Sequence, residues 1–332
     1  MGIHKLWQTL AKLTPSAFQA DGLGKIGGAH VFVDTPVFAY AALNALGTDA
    51  AAAQNVIGLA KRILRAGAAS CTLVFDGPPH LLKMEELARR RARMEAAAAA
   101  SASAAADALA PSPLDDGAGA FVAQDTPSML TDMLVTDLDE TLALSHNPLY
   151  TTVLKQQRPT PCTFDAIRLA AIECASEGHF IVCVNAPSDA EQECAIRARQ
   201  TDGIACTSDS DTLTFGAPRI LRYVPGDPHF SMVHLQQILD ELGLTFSAFQ
   251  QWCVMCGSDF CEPIKGVGPA KSLKFIREAL QEGPEQASGD LIRRVFIKQA
   301  GAKLLTGESA DAFSLRFAGA LGVFCGYHVV SK

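Results

Sequence analysis

Four short apolar runs most constrain what this chain can fold into. VFVD (Val31 to Asp34), TLVFD (Thr72 to Asp76), FIVCVN (Phe180 to Asn185) and IACT (Ile204 to Thr207) are continuous rather than alternating. Such runs read as strands covered on both faces. Helical patterns lie between them, over Ala50 to Ala66 and Ala166 to Ser176. The alternation implies an α/β fold with a mostly parallel central sheet flanked by helices. The first two runs end in Asp, and the other two are followed closely by acids. In open parallel sheets, ligand sites lie at the carboxyl ends of the strands, which is where these acids fall. After about Phe246 the chain reads as helical.

Composition narrows the class. With 332 residues, 48% hydrophobic and 19% charged, the chain can bury a real core and does not have a disordered composition. It has no uncharged apolar stretch of about 18 residues, so no membrane span is expected. The opening MGIHKLWQTL lacks a signal peptide's apolar run, and Leu6 breaks the myristoylation pattern. The ten cysteines sit mostly in apolar segments, as buried thiols do in a reducing compartment. Cys253 and Cys256, with Cys261 nearby, lack the second ligand pair of a zinc site. The net charge of −7, taken alone, argues against nucleic acid. However, nine acids and no Lys or Arg fall between Glu95 and Leu154, which leaves +2 for the rest of the chain. Residues 96–150 are rich in Ala, Ser, Gly and Pro and read as a partly disordered insertion.

Five motifs then give a specific resemblance. They are MGIHKLW with VFVDTPVFAY, LVFDGPPHLLKMEELARRR, NAPSDAEQECA, TSDSDTLTFGAPRILR and CGSDFCEPIKGVGPAKSL. In this order, over about two thirds of the chain, the sequence resembles the flap endonuclease and XPG-type structure-specific 5′ nucleases. The resemblance implies a PIN-like nuclease fold with a helical arch region and a C-terminal helix–two-turn–helix that binds DNA. The expected division is a nuclease region over 1–95, the acidic insertion in the arch over 96–150, a region completing the sheet over 151–245, and the helical remainder over 246–332.

The resemblance assigns seven metal-binding carboxylates: Asp34, Asp76, Asp189, Glu191, Asp209, Asp211 and Asp259. The first four would serve one Mg²⁺ and the last three the other, with Glu191 near both and Mn²⁺ as a substitute. Mg²⁺ is a hard cation that prefers carboxylate oxygen. Paired ions suit phosphodiester hydrolysis because they act on both the attacking and the leaving oxygen. Taken singly, each acid reads better as a helix N-cap or a solvated loop residue, and it is the coincidence of all seven with the motif positions that favours metal ligation. One departure stands out: the family usually has Glu where this chain has Asp189, shorter by one methylene.

Lys83 and Arg90 lie seven residues apart on one face of a predicted helix, with Arg89, Arg91 and Arg93 beside them. The resemblance places this pair at the base of the arch, facing the scissile phosphate. Taken alone, the run also fits a solvated basic helix or a nuclear import signal. The resemblance sets Gly2 and Tyr40 against DNA, Tyr40 by stacking on a base. Lys265-Gly-Val-Gly-Pro-Ala-Lys-Ser272 is not a P-loop, because Ala270 replaces the required Gly and no strand precedes it. It fits a hairpin between helices at about Ser247 to Cys256 and Ala270 to Leu280. There Gly266 and Gly268 let backbone amides approach a phosphate, and Lys265, Lys271 and Lys274 add non-specific attraction. The resemblance also implies a K⁺ ion at this hairpin.

The implied activity is metal-dependent cleavage of branched or flapped DNA in replication or repair, by a nuclear monomer. A 5′ exonuclease or junction-cutting relative is the near alternative. A nuclease-like scaffold that regulates nucleic acid is the distant one, favoured by Asp189 and the acidic insertion. No sliding-clamp box of the form QxxLxxFF occurs in the sequence.

Overall fold

The structure is a computed structural model that describes residues 3, 5–84, 88, 92, 95–96, 157–223, 229–263, 266–282 and 310–326. The insertion beyond residue 96 and the arch lie outside the described residues. Seven strands form one sheet: β1 (Phe18–Gln19), β2 (His30–Asp34), β3 (Ser70–Phe75), β4 (Ile181–Asn185), β5 (Ile204–Thr207), β6 (Arg219–Arg222) and β7 (Ser231–His234). Their spatial order is β1-β7-β6-β5-β2-β3-β4. The pairs β2–β3, β3–β4, β2–β5 and β5–β6 are parallel. Antiparallel β7 and β1 complete one edge.

The four apolar runs thus become the adjacent strands β5-β2-β3-β4. From β2 the chain steps outward through β3 to β4, then crosses back to lay β5 on the other side of β2. The strand order reverses between β2 and β5, and such a reversal opens a crevice at the carboxyl ends of the strands.

Both faces are covered, as continuous apolar strands require. Along β2, Val31 and Val33 point to one face and Phe32 to the other, following the two-residue period of a strand. The first face packs under α2 (Thr35–Leu46), α3 (Asp49–Arg65) and α4 (Pro161–Ser176), through Phe38, Val56, Ile63 and Ile167. The second packs under α5 (Ala190–Thr201), which offers Ala190, Cys194, Ala195 and Ala198. These small side chains let α5 lie close to the sheet.

Four helices extend that second core: α1 (Leu6–Leu13), α7 (Leu235–Leu242), α8 (Phe246–Cys256) and α9 (Pro269–Glu282), with α6 (Asp211–Thr214) and α10 (Ala310–Phe324) beside them. Trp252 and Phe249 are fully buried at its centre. None of the ten cysteines is in a disulfide. No helix among the described residues is long and apolar enough to cross a membrane.

Candidate active site

Six of the seven acids follow directly from strand ends. Asp34 is the last residue of β2, and Asp76 follows β3. Asp189 and Glu191 lie at the start of α5, after β4. Asp209 and Asp211 come just after β5, and Asp211 opens α6. Asp259 reaches the same region from the Ser258–Cys261 bridge beyond α8. All but the exposed Asp76 are buried, and Asp211 completely so.

The backbone separates these acids from ordinary caps. Asp34 and Asp189 occupy the N-cap positions of α2 and α5, yet neither side chain makes a capping hydrogen bond. The Ala190 N–H of α5 instead donates to Asp76 Oδ1 at 2.8 Å. Asp189 turns toward Lys83. Close approach of the β3 and β4 loops explains the glycine after Asp76, because a Cβ on Gly77 would collide with the Ala186 carbonyl and Pro187.

Hydroxyls organise the β5 loop. Thr207 Oγ1 donates to Asp34 Oδ2 at 2.7 Å and accepts from the Asp209 N–H at 3.0 Å. The Asp211 N–H donates to Asp209 Oδ1 at 3.0 Å. Ser210 Oγ accepts from the Ile3 N–H at 2.9 Å, and Trp7 Nε1 donates to the Ser208 carbonyl at 2.8 Å. The opening motif of the chain therefore ties down the loop that carries Asp209 and Asp211. Sequence reasoning missed Ile3, Trp7, Thr207 and Ser210. Their signal lay within the motifs, Ile3 and Trp7 in MGIHKLW and Thr207 and Ser210 in TSDSDTLTF.

Lys83 is the cation these acids share. It sits in a helical turn at residues 81–84, with its side chain 13% exposed. Its Nζ lies 2.9 Å from Asp189 Oδ1, 3.3 Å from Glu191 Oε1 and 3.6 Å from Asp259 Oδ2. It also lies 5.9 Å from the centroid of the Phe260 ring. Desolvation works to lower the lysine's pKa, but Glu191, Asp189 and Asp259 outweigh it and hold the ammonium above the ordinary lysine range.

Burial pushes Asp34 up to about 7, against the Thr207 hydrogen bond and with help from the Asp76 and Asp209 charges. Burial first, then Asp209, raises Glu191 well above the usual carboxylate range. Asp211 is raised in the same way, by burial and then by Asp209 and Asp259. Such crowding is typical of sites that hold a cation or move a proton.

A divalent cation suits this chemistry. Among the described residues, no three His, Cys, Asp or Glu side chains converge closely enough to enclose an ion. However, Asp189 Oδ2 and both carboxylate oxygens of Asp211 are buried without a hydrogen-bond partner. Buried carboxylate oxygens left unpaired are costly, and hard oxygen donors are what Mg²⁺ takes.

Other sequence-predicted residues lie apart from the cluster. Tyr40 is half-buried on α2, where its carbonyl accepts from Asn44 Nδ2. Gly266 has φ +80, a left-handed turn that favours glycine, and Gly268 faces open space. These residues connect α8 to α9, and Trp252 Nε1 pins the junction by donating to the Pro269 carbonyl at 2.9 Å. Lys271 Nζ donates to the Gly266 carbonyl at 3.1 Å, and Lys274 pairs with Glu278 at 3.6 Å. Gly2, Arg90 and Lys265 lie outside the described residues, as do Arg89, Arg91 and Arg93.

Comparison with known proteins agrees with this geometry. The XPG I-region family profile matches residues 180–259, which span β4 to Asp259. Flap endonuclease 1-A of Sorghum bicolor is 29% identical over 296 residues, covering 84% of this chain and 67% of the relative. Flap endonuclease 1 of Homo sapiens is 28% identical over 294 residues, covering 84% and 66%. The chain thus spans about two thirds of the length of these relatives. Among solved structures, the catalytic core of Rad2 in complex with a DNA substrate shares the fold, with a TM-score of 0.59 at 16% identity over 96% of this chain and 86% of that one. Human GEN1 in complex with Holliday junction DNA shares it with a TM-score of 0.53 at 17% identity, over 97% of this chain and 66% of that one. The chain is thus similar to flap endonucleases over most of its length and to the XPG I-region profile across the acidic cluster, and it shares its fold with the solved nuclease structures.

Proposed function

We propose that this chain is a divalent-metal-dependent, structure-specific 5′ nuclease that hydrolyses branched or flapped DNA near single-strand/double-strand junctions, in replication or repair. The observation that carries this reading is the burial of Asp34, Asp189, Glu191, Asp209, Asp211 and Asp259 near the strand-order reversal, close enough that their charges help raise the pKa of Asp34, Glu191 and Asp211, with Asp76 at the rim and buried oxygens left unpaired. Asp34, Asp76, Asp189 and Glu191 would hold one Mg²⁺, and Asp209, Asp211 and Asp259 the other. The chemistry such ions supply is activation of water and neutralisation of charge on the leaving oxygen.

The chain's own residues do the rest. Thr207 and Ser210 hold the acidic loop in register with β2 and the N-terminal segment. Lys83 brings a positive charge to the edge of the cluster, where a scissile phosphate would need it, and Arg90 would add a second. At the α8–α9 hairpin, Gly266 and Gly268 leave backbone amides open to a duplex phosphate, with Lys271 and Lys274 alongside. Tyr40 would stack on a base. The flap endonuclease relatives support a flap substrate.

The test is incubation of purified protein with a labelled double-flap DNA, with Mg²⁺ and with EDTA. Cleavage near the junction only with Mg²⁺ is expected. If no flap, nicked or gapped duplex is cut under any divalent condition, the chain is a scaffold that keeps the nuclease fold.

A further inference from the structure

The position of Lys83 bears on how the site is loaded. The lysine side chain is only 13% exposed and faces carboxylates, not solvent. Its ammonium is drawn into the cluster, within 2.9 to 3.6 Å of oxygens of three acids from two separate stretches of chain, the start of α5 and the loop beyond α8. Two of these, Asp189 and Glu191, belong to the first set of ligands proposed above. Asp259 belongs to the second, so this inference rests on that proposal. One ammonium thus touches both sets.

In the described turn at residues 81–84 the backbone bonds run to His80, whose ring packs edge-on against Phe260 at 6.0 Å. The Lys83 N–H donates to the His80 carbonyl at 2.9 Å, and the Leu82 N–H donates to His80 Nδ1 at 3.2 Å. A lysine carries a compact point charge on a long flexible stem, which suits it to exchange one set of partners for another. Divalent cations on the same oxygens would repel the ammonium strongly in this poorly screened setting.

From this geometry we infer that Lys83 is an internal counter-ion that competes with divalent cations for Asp189, Glu191 and Asp259. Cation loading expels it from the cluster, and only then is its charge free to engage a DNA phosphate. Metal loading and presentation of Lys83 are thereby coupled in one exchange of charges, with no covalent change.

The experiment uses the full chain without DNA, and Mg²⁺ alone as the probe. Mg²⁺ affinity is measured by calorimetry for the wild type and for Lys83→Met, with melting curves in EDTA and in saturating Mg²⁺. Lys83→Met should bind Mg²⁺ roughly tenfold tighter or better. It should melt lower than the wild type in EDTA, and the gap should close in Mg²⁺.

In parallel, the wild type is acylated with a trace of acetic anhydride and the sites are quantified by mass spectrometry, with exposed Lys12 as the internal reference. Labelling of Lys83 relative to Lys12 should rise severalfold when Mg²⁺ saturates. Unchanged labelling overturns the inference whatever the variant does, and so does equal or weaker Mg²⁺ binding by Lys83→Met. If the variant fails to fold, the wild-type labelling decides alone. Mg²⁺ binding and flap cleavage with flat labelling would sink only the counter-ion role, whereas no Mg²⁺ binding at all would remove the metal-dependent function as well.

Discussion

The Thr207 hydroxyl donates to Asp34 Oδ2 at 2.7 Å, joining β5 to β2 where the strand order reverses. The same oxygen accepts the Asp209 N–H, so one hydroxyl sets the spacing of two acids. Thr207→Val keeps the shape but removes both bonds and leaves a buried carboxylate and a buried N–H unsatisfied. A loss of about 1–3 kcal/mol is expected in urea denaturation. Thr207→Ser should recover most of it. If the valine variant is as stable as the wild type, the hydroxyl is not holding the loop.

Asp34 gives a pH signature. Its folded pKa is pushed up to about 7 from an ordinary value of 3.8, chiefly by burial. The folded chain therefore holds a proton that the unfolded chain releases. The associated stability is present below about pH 4 and is lost as pH rises toward 7, at up to about 1.4 kcal/mol per pH unit. With EDTA present, the stability of the wild type minus that of Asp34→Asn should fall across this window and level off above it. A difference that rises with pH would give the opposite sign and exclude a raised Asp34.

Much of the sheet was legible in the sequence. VFVD, TLVFD, FIVCVN and IACT became β2 to β5 because buried parallel strands must be apolar on both faces, and that leaves an unbroken run. The strands β1, β6 and β7 were not read. They are two to four residues long, too short to show a pattern, and β1 also depends on pairing across the chain, Phe18 with Val233. The acids stood out through their motifs, but an N-cap and a site carboxylate look alike in sequence. Only the backbone geometry, in which Asp34 and Asp189 sit at caps without capping, separates the two. The approach of Lys83 to Asp189 and Asp259, and of Ile3 to Ser210, depends on packing between distant segments and left no trace in local spacing.

The α8–α9 hairpin should govern binding rather than chemistry. Lys274→Ala should weaken affinity for duplex DNA and lower the slope of log affinity against log salt by about 1. Lys271→Ala should do the same and also loosen the turn, because its Nζ holds the Gly266 carbonyl. Single-turnover cleavage at saturating protein should stay near the wild-type rate for both. A slowed rate with unchanged affinity would move these lysines into the chemistry.

Asp189→Glu restores the longer acid usual in the family. Asp189 Oδ2 is buried without a hydrogen-bond partner, and one more methylene extends the reach by about 1.5 Å. The Mg²⁺ concentration for half-maximal cleavage should fall. An unchanged or higher requirement would mean that the site is built around the shorter acid.

The most direct test of the central claim is single-turnover cleavage of a labelled double flap by Asp211→Asn in saturating Mg²⁺, with flap affinity measured beside it. Asp211 is fully buried and both its oxygens lack hydrogen-bond partners, so its role in this account is to hold a cation. The isosteric amide should cut the rate by at least about 100-fold while flap affinity stays within about threefold of the wild type. Cleavage by Asp211→Asn at the wild-type rate would contradict the account, because the carboxylate cluster would then not be where the bond is broken.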